Sequence, residues 1–140
     1  MSDVQRTLVL VKPDGVQRAL VGQIVARYEA KGLRVVALQM RCIDAAFAGR
    51  HYAEHVGRPY YPGLEAYITS GPLVAMVLEG ERAIEAVRTM NGATDAVAAA
   101  AGTIRGDLAL SKQQNLVHAS DSEESAAREV ALWFPELPRS

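Results

Sequence analysis

The stretch Thr7-Leu-Val-Leu-Val-Lys-Pro-Asp-Gly15 sets the framework of the predicted fold. Its first five residues are apolar or β-branched, which is typical of a buried strand, and Pro13-Asp14-Gly15 then predicts a turn. Beyond the turn, apolar residues recur at helical spacing over residues 20–31, and Gly32 ends this predicted helix. Strand character returns over residues 33–40, so the chain begins with a strand–helix–strand unit.

The following residues predict the first part of a second, less complete unit. Asp44 is a suitable N-cap for a helix that extends to about Glu54. Pro59 and Pro62 break the chain, and residues 64–68 then predict a further short helix.

A strand and a helix complete this second unit. Residues 73–78 are continuously apolar and predict another buried strand. Residues 83–90 have their apolar side chains at helical spacing, and Asn91-Gly92 ends that helix. Two units in this order predict an α+β fold of the ferredoxin-like kind, which is an antiparallel sheet with helices packed on it.

Periodicity fails over residues 92–106, where the run Ala96-Val-Ala-Ala-Ala-Ala101 predicts either a short helix or a long surface loop. A loop of this length is usually functional. Residues 122–134 predict a last helix, with one apolar stripe and two glutamates in its first turn, where the helix dipole favours negative charge.

Composition narrows the class of protein. The chain has 140 residues, 49% hydrophobic and 22% charged, which predicts a single domain over residues 1–140 with a packed core. A net charge of −1 argues against a wholly basic nucleic-acid surface. We expect a cytoplasmic protein, because no apolar stretch reaches the length of a membrane span and no signal peptide is recognisable. The single cysteine, Cys42, is predicted to be a core or strand-end residue in a reducing compartment.

Histidine is the first residue type to consider for chemistry, since the chain has only three. His51 and His55 lie four residues apart on a predicted helix, a spacing that can bind zinc. No third ligand cluster is visible, however, and an exposed helix face explains both histidines. His118 lies between a short apolar run and the last helix, where both a structural and a catalytic role are open.

Glu129 favours the catalytic interpretation of His118. This carboxylate lies at the edge of the apolar stripe of the last helix, so it needs a polar partner. Because the helix starts just after His118, Glu129 is expected to reach either the imidazole or the Ser120 hydroxyl. A nucleophilic histidine needs such a partner, because one tautomer must be held with its free lone pair towards the substrate.

Three cationic residues suit a phosphate chain. Lys12 follows the first strand, Arg88 precedes the irregular segment, and Arg105 has a glycine on each side within a few residues. Each alone is explained as a surface charge, and Lys12 as a solvated lysine at a turn. Together they offer charge and bidentate geometry for phosphates. No Walker-type loop or dinucleotide fingerprint is present, so a nucleotide site would be of another kind.

Five segments resemble the signature segments of nucleoside diphosphate kinases, in that family's order and spacing. They are Lys12-Pro-Asp-Gly-Val-Gln-Arg18, Arg58-Pro-Tyr-Tyr-Pro-Gly63, Ser70-Gly-Pro72, Gly102-Thr-Ile-Arg-Gly-Asp107 and Asn115-Leu-Val-His-Ala-Ser-Asp121. The resemblance extends over residues 6–134, which is nearly the whole chain. It implies a ferredoxin-like fold and a ping-pong reaction, in which a nucleoside triphosphate phosphorylates His118 and the phosphohistidine then donates to a nucleoside diphosphate.

The resemblance also implies roles around the histidine. Ser120 and Glu129 would orient His118, and Tyr52 would lie beside it, near the γ-phosphate. Magnesium would bridge the nucleotide phosphates, with Asp121 reaching it through water.

Further implied roles concern the nucleotide. Lys12 would contact the transferring phosphate and the ribose hydroxyls, Arg88 and Thr94 would hold the β-phosphate, and Arg105 would stabilise the transferring group. Asn115 would bind the 3′-hydroxyl.

The resemblance also has implications for the nucleotide base and for the assembly of subunits. Tyr60 would stack on the base, and because stacking tolerates any base, selectivity should be low. The resemblance further implies a homo-oligomer, a hexamer first and a tetramer second, built from the irregular segment and the sheet edge.

The chain departs from the resembled pattern at four positions. Ala119 stands where glycine is usual, which is tolerable unless the backbone there has a positive φ. Tyr60 replaces the common phenylalanine and keeps the ring. Ala96 and Ala101 occupy positions that are usually proline, which removes rigidity from a loop used in subunit contacts.

Two other classes of protein compete with the enzyme. A non-catalytic ferredoxin-like module, which is nucleotide-binding or regulatory, explains the fold but gives no role to His118, Glu129 and the two arginines. A nucleic-acid-binding protein is secondary, because the net charge is −1.

Overall fold

A computed structural model describes residues 3–138 of the chain. Among these residues one sheet is formed by four strands, β1 (Val4–Val11), β2 (Arg34–Arg41), β3 (Leu73–Glu81) and β4 (Val117–Ala119), in the order β2-β3-β1-β4. All neighbouring strands are antiparallel. This order and the helices between the strands confirm the predicted ferredoxin-like α+β fold.

Strand β1 is central because both of its faces are apolar. Leu8 and Leu10 face one cluster of buried side chains, and Val9 and Val11 face the other. Side chains alternate across a strand, so an unbroken apolar run can serve two layers of helices at once. The sheet therefore has a hydrophobic core on each side, and β1 contributes to both.

Within the described part of the chain, seven helices cover the sheet and its ends. They are α1 (Pro13–Gln17), α2 (Val21–Lys31), α3 (Ala45–His51), α4 (Tyr61–Ile68), α5 (Ala83–Asn91), α6 (Ile104–Leu108) and α7 (Glu123–Trp133). The predicted caps are confirmed: Asp44 accepts a hydrogen bond from the Phe47 amide at 2.8 Å, and Gly32 adopts a left-handed φ of 106° at the end of α2.

Three local predictions differ from the structure. The Pro13-Asp14-Gly15 turn is the start of α1, because proline is well suited to the first helical turn. For the same reason Pro62 lies at the start of α4 and does not break the chain there. Helix α3 ends at His51, before the predicted Glu54, and a series of turns follows it.

Two short elements, α6 and β4, were not predicted. Neither is long enough to show periodicity: α6 depends on the Thr103 side chain, which accepts from the Gly106 amide at 3.0 Å, and β4 depends on pairing with β1. Cys42 directly follows β2, as a strand-end residue, but it is exposed, so its prediction as a core residue is wrong. Within residues 3–138, no helix is both long and apolar enough to cross a membrane.

The alanine-rich run is a series of turns, which resolves the choice left open by the sequence in favour of a loop. The Ala98 amide donates to the Asp95 carbonyl at 3.0 Å, so Ala96 is the second residue of a β-turn. The Thr103 amide donates to the Ala100 carbonyl at 3.2 Å, which makes Ala101 the second residue of another turn. Proline is favoured as the second residue of a β-turn, because its ring fixes φ near the value that this residue adopts.

We therefore predict that Ala96→Pro with Ala101→Pro stabilises the protein. No hydrogen bond within residues 3–138 uses either amide, and neither residue has a positive φ. Each proline should raise the free energy of unfolding by about 0.4–1 kcal/mol, because the unfolded chain loses conformational freedom. Thermal unfolding followed by circular dichroism should show a higher midpoint.

A matched control is Ala98→Pro in the same loop. This substitution removes the amide that donates to the Asp95 carbonyl, so the midpoint should fall. A double variant that melts below the wild type would show that the loop has a conformation that proline cannot adopt.

Candidate active site

A cleft of about 530 Å³ opens where β1 ends and β4 begins, between α3, α5 and the irregular segment. Nine of the residues predicted to form a site line this cleft: Lys12, Tyr52, Arg88, Thr94, Arg105, Asn115, His118, Asp121 and Glu129. Tyr60 and Ser120 are not among the lining residues. A larger groove of about 640 Å³ lies between α7 and the start of β1, but its lining is mostly apolar and includes no histidine, lysine or cysteine.

His118 is positioned by β4 and α7. It pairs with Leu10 across the sheet, and its Nε2 lies 2.7 Å from Glu129 Oε1. The Ser120 hydroxyl donates to the same carboxylate oxygen at 3.2 Å. Glu129 therefore reaches both partners between which the sequence could not choose. The geometry arises because Ser122 caps α7 directly after β4, and the helix then brings Glu129 back over the strand.

These contacts determine which tautomer His118 adopts. A carboxylate can only accept, so Nε2 carries the proton and donates it to Glu129. The lone pair is then on Nδ1. The His118 side chain is 23% exposed and that of Glu129 is 6% exposed. The imidazole ring is therefore accessible from the cleft, whereas the carboxylate that binds it is buried.

His51 contradicts the prediction of an exposed helix face. It is only 3% exposed, and its ring lies edge-on to that of His118 with centroids 4.7 Å apart. Its Nδ1 accepts a hydrogen bond from Trp133 Nε1 at 3.0 Å. Burial, followed by electrostatic interactions with His118, Arg128 and Lys12, lowers the pKa of His51 well below its usual value, so the ring is neutral.

The hydrogen bonds also argue against zinc at this place. One nitrogen each of His51 and His118 and an oxygen of Glu129 lie within 4.8 Å of one another, and His55 is not part of this group. Tryptophan only donates, so His51 carries its proton on Nε2, and His118 directs its own proton to Glu129. A metal at these atoms would have to displace the Nε2 proton of His51 or the proton that His118 donates to Glu129.

Lys12 is buried, so its interpretation as a solvated lysine is wrong. Only 8% of the residue is exposed, and its Nζ donates to Asn115 Oδ1 at 2.7 Å. Burial, and next the positive charge of Arg105, lowers the Lys12 pKa to about 8, while the charge of Asp14 opposes this shift.

The two arginines differ in how they are held. Arg105 donates to the carbonyl oxygens of Gly92 at 2.8 Å, Asn115 at 3.3 Å and Val117 at 2.6 Å, and so ties the irregular segment to β4. The Arg88 guanidinium forms no hydrogen bond or ion pair with any other residue among 3–138. The guanidinium of Arg88 is thus available to a ligand, whereas that of Arg105 is fixed in place.

Asn115 links the walls of the cleft. Besides accepting from Lys12, it donates through Nδ2 to the carbonyl oxygens of Thr94 and Lys112, both at 2.9 Å. Thr94 is exposed at the rim. The side-chain amide of Asn115 is therefore held in place between Lys12 and the irregular segment.

Two tyrosines of the predicted site lie in different environments. Tyr52 is buried and lies edge-on to His51, with centroids 4.6 Å apart. Burial raises the Tyr52 pKa to about 12, so the phenol is protonated at physiological pH. Tyr60 is 53% exposed, and its hydroxyl lies 2.6 Å from Nδ1 of His55, which does line the cleft.

Sequence reasoning missed a strained turn beside His118. Leu116 is fully buried with a φ of 76°, and the Val117 amide donates to the Asn115 carbonyl at 2.9 Å. This three-residue turn is rare and costs about 1–3 kcal/mol for a residue other than glycine. No residue type in the segment signals it, because leucine disfavours a positive φ.

Sequence reasoning also missed Asp14, which was assigned only to a turn. It is 7% exposed, and its carboxylate accepts from the Leu116 amide at 3.2 Å and from the Tyr67 hydroxyl. The available signal was its place directly after a buried strand. Ala119, by contrast, has no positive φ, so its methyl group is tolerated in β4.

Comparisons with known proteins agree with this geometry. The family model described as nucleoside diphosphate kinase matches residues 5–138. A nucleoside diphosphate kinase of Cutibacterium acnes is 64% identical over 137 residues, which are 98% of this chain and 99% of that protein. One of a Nocardioides species is 61% identical over 132 residues, 94% of this chain and 98% of that protein.

Solved structures give the same result. A halophilic nucleoside diphosphate kinase from Halobacterium salinarum in complex with CDP superposes with a TM-score of 0.92 at 49% identity, covering 97% of this chain and 93% of that one. A family member from Babesia bovis superposes with a TM-score of 0.91 at 46% identity, covering 97% and 95%. The chain belongs to the nucleoside diphosphate kinase family, whose enzymes transfer phosphate between nucleotides.

Proposed function

We propose that this nucleoside diphosphate kinase carries the phosphoryl group on Nδ1 of His118. In the first half-reaction Nδ1 attacks the γ-phosphorus of a nucleoside triphosphate, a P–N bond forms, and the bond to the β-phosphate oxygen breaks. The diphosphate leaves. In the second half-reaction a terminal oxygen of another diphosphate attacks the same phosphorus, and the P–N bond breaks. The observation that supports this proposal best is the hydrogen bond from His118 Nε2 to Glu129.

Glu129 acts on the nucleophile through that bond. As Nδ1 bonds to phosphorus, positive charge develops on the ring, and the carboxylate at 2.7 Å stabilises it. Ser120 acts as a positioning residue, because its hydroxyl donates to the same oxygen and keeps it directed at the ring. Its own oxygen accepts from the Leu8 amide at 3.3 Å, which ties the arrangement to β1.

Positive charge in the cleft serves the phosphates. Phosphoryl transfer needs mainly positioning and neutralisation of charge. In this proposal Lys12 and Arg105 contact the transferring group, and Arg88 with Thr94 holds the β-phosphate. The buried ammonium of Lys12 and the fixed guanidinium of Arg105 support it, because neither needs to reorganise during the reaction.

The residues of the cleft fit a magnesium ion that the nucleotide carries. Mg²⁺ prefers oxygen ligands and is commonly held by substrate phosphates with one or two carboxylates. The Glu129 carboxylate already binds His118 and Ser120, whereas Asp121 lines the cleft and is exposed. A hydrogen bond from the Ser125 side chain is the main cause of its lowered pKa, so Asp121 is ionised. The ion would neutralise phosphate charge, with Asp121 as its partner through water.

The remaining contacts concern the nucleoside. Asn115 would bind the 3′-hydroxyl, since its amide already lies beside Lys12. Tyr60 would stack on the base, and its exposed ring supports this role. Because stacking reads no base edge, we propose low selectivity among purine and pyrimidine nucleotides. Tyr52 would support the phosphates beside His118 as a neutral phenol.

We also propose a homo-oligomer, a hexamer first and a tetramer second. Exposed apolar side chains support it at two places that the family would use: Leu38 and Met40 on the edge strand β2, and Val97 and Leu110 in or near the irregular segment. Exposed apolar groups on separate surfaces are typical of subunit contacts. The cytoplasmic location and the single-domain organisation of residues 1–140 stay predictions, and a nucleic-acid partner remains secondary.

A non-catalytic nucleotide-binding module is not favoured. Relatives at 61% and 64% identity are named as enzymes. Such a module would also give no role to the bond between His118 and Glu129.

Replacement of the nucleophile is the most direct test. We predict that His118→Ala abolishes exchange and leaves the fold and nucleotide affinity largely intact, because the cations remain. Incubation with γ-labelled ATP should label the wild type with acid-labile, base-stable phosphate and leave the variant unlabelled. Retention of even about a tenth of wild-type kcat would exclude a phosphohistidine at this position.

The carboxylate that orients the ring is tested by Glu129→Gln. The substitution keeps the shape and removes the charge, so kcat should fall on the order of 10–100-fold with little change in stability. Glu124→Gln, an exposed glutamate of the same helix, is the matched control and should keep wild-type kcat. An equal kcat for the two variants would limit Glu129 to a structural role.

The pKa of Lys12 predicts how nucleotide affinity depends on pH. A bound phosphate raises the pKa of the ammonium from about 8, so binding takes up a proton at higher pH. The affinity for ADP, measured by calorimetry between roughly pH 7 and 9.5, should therefore fall as the pH rises through about 8, by at most about tenfold per pH unit.

Two variants control this experiment. Lys12→Gln should bind weakly at all pH values, so that its curve converges with that of the wild type at high pH. Lys31→Gln changes an exposed lysine of α2 and should keep the wild-type profile. A wild-type affinity that stays constant up to pH 9.5, far above the pKa of about 8, would show that Lys12 does not carry the titrating charge.

A further inference from the structure

The carboxylate of Asp14 is buried beside the cleft, but the proposed reaction does not use it. The residue is 7% exposed and is not among those that line the cleft. Burial raises its pKa, while Lys12 and the Leu116 amide act in the opposite direction and favour the ionised form. Buried carboxylates need partners, and the identity of these partners shows what the group does.

Asp14 holds a strained turn. Its Oδ2 accepts from the amide of Leu116, the residue with a φ of 76°. From the other side the Lys12 amide donates to the Leu116 carbonyl at 2.8 Å. The peptide groups on both sides of the strained residue are thus bound by the segment that follows β1. A residue in such a conformation persists only where its surroundings hold it.

The same turn carries groups of the cleft. Asn115 precedes Leu116 and accepts from Lys12 Nζ, and His118 lies two residues after it. The Asn115 and Val117 carbonyls both bind Arg105. A change in the conformation of Leu116 would therefore move the asparagine, the lysine and the arginine together.

Tyr67 binds the second oxygen of the Asp14 carboxylate. Its hydroxyl donates to Asp14 Oδ1, and the Lys12 ammonium lies 5.6 Å from the centre of its ring. Asp14 is therefore held between a tyrosine of α4 and the strained turn, next to the lysine whose charge it stabilises.

We propose that Asp14 is a positioning residue of the phosphate and ribose subsite, which holds the Leu116 turn and thereby sets Asn115 and Lys12 in place. The inference rests on the proposed function. Asp14 acts in two ways: as an acceptor for the Leu116 amide, and as the negative charge that keeps Lys12 protonated in a buried position.

The test is Asp14→Asn, with Tyr67→Phe as the matched variant. Asparagine keeps an acceptor for Leu116 and loses the charge, whereas phenylalanine keeps the ring and the charge and loses one hydrogen bond. For Asp14→Asn we expect kcat/KM for ADP to fall on the order of tenfold, since a neutral amide oxygen holds the Leu116 turn less firmly than a carboxylate does, and small misplacements of binding groups have effects of this size. The pH at which ADP affinity declines should also move below its wild-type value. Tyr67→Phe should lower kcat/KM by roughly two- to fivefold and keep the wild-type midpoint.

Each outcome decides the inference. A folded Asp14→Asn variant with unchanged kcat/KM, or with lower kcat/KM but an unchanged midpoint of the pH profile, overturns it. If Asp14→Asn does not fold, as judged by circular dichroism, Tyr67→Phe decides: lower kcat/KM supports the inference and a wild-type value overturns it. The wild type separates the two proposals, because an absence of phosphohistidine in the wild-type protein itself would refute the proposed function.

Discussion

The central position of β1 in the sheet is the constraint on which the candidate site depends. Because β1 pairs with β3 on one side and β4 on the other, its end brings Lys12 next to the segment that carries Asn115 and His118. The pairing of Leu10 with His118 fixes the register, and a shift by one residue would turn the imidazole to the opposite face. The apolar side chains of β1, which alternate between the two faces of the sheet, thus specify both the core and the location of the nucleophile.

Polar groups are buried around this junction, and almost all of them have partners from other elements. Asp14 binds Leu116, Lys12 binds Asn115, and Glu129 binds both His118 and Ser120. Buried polar groups without partners are strongly destabilising, so such a network specifies one arrangement of the elements that contribute to it. The stability of the strained Leu116 turn follows from the same network, since its two peptide groups are held from outside the turn.

The charges of the cleft fit a reaction of anions. Three cationic side chains line the cleft together with His118, and burial keeps the adjacent His51 neutral. A charged imidazole at His51 would compete with the nucleophile for the Glu129 carboxylate. The low pKa of Lys12 has the same origin, because a buried ammonium beside Arg105 is costly until an anion arrives. The free protein therefore holds positive charge that is complementary to the phosphates of a nucleotide.

The sequence by itself determined the fold class, the caps of the main helices and the pairing of Glu129 with the segment around His118. These features depend on periodicity, on local capping chemistry and on the need of a half-buried carboxylate for a partner. Only the tertiary structure decided the burial of Lys12, the inward orientation of His51 and the clamp of Asp14 on Leu116. Each of these depends on residues distant in the chain, such as Asp14 and Leu116, which are 102 positions apart. Local sequence cannot encode such contacts, because they exist only after the strands have paired.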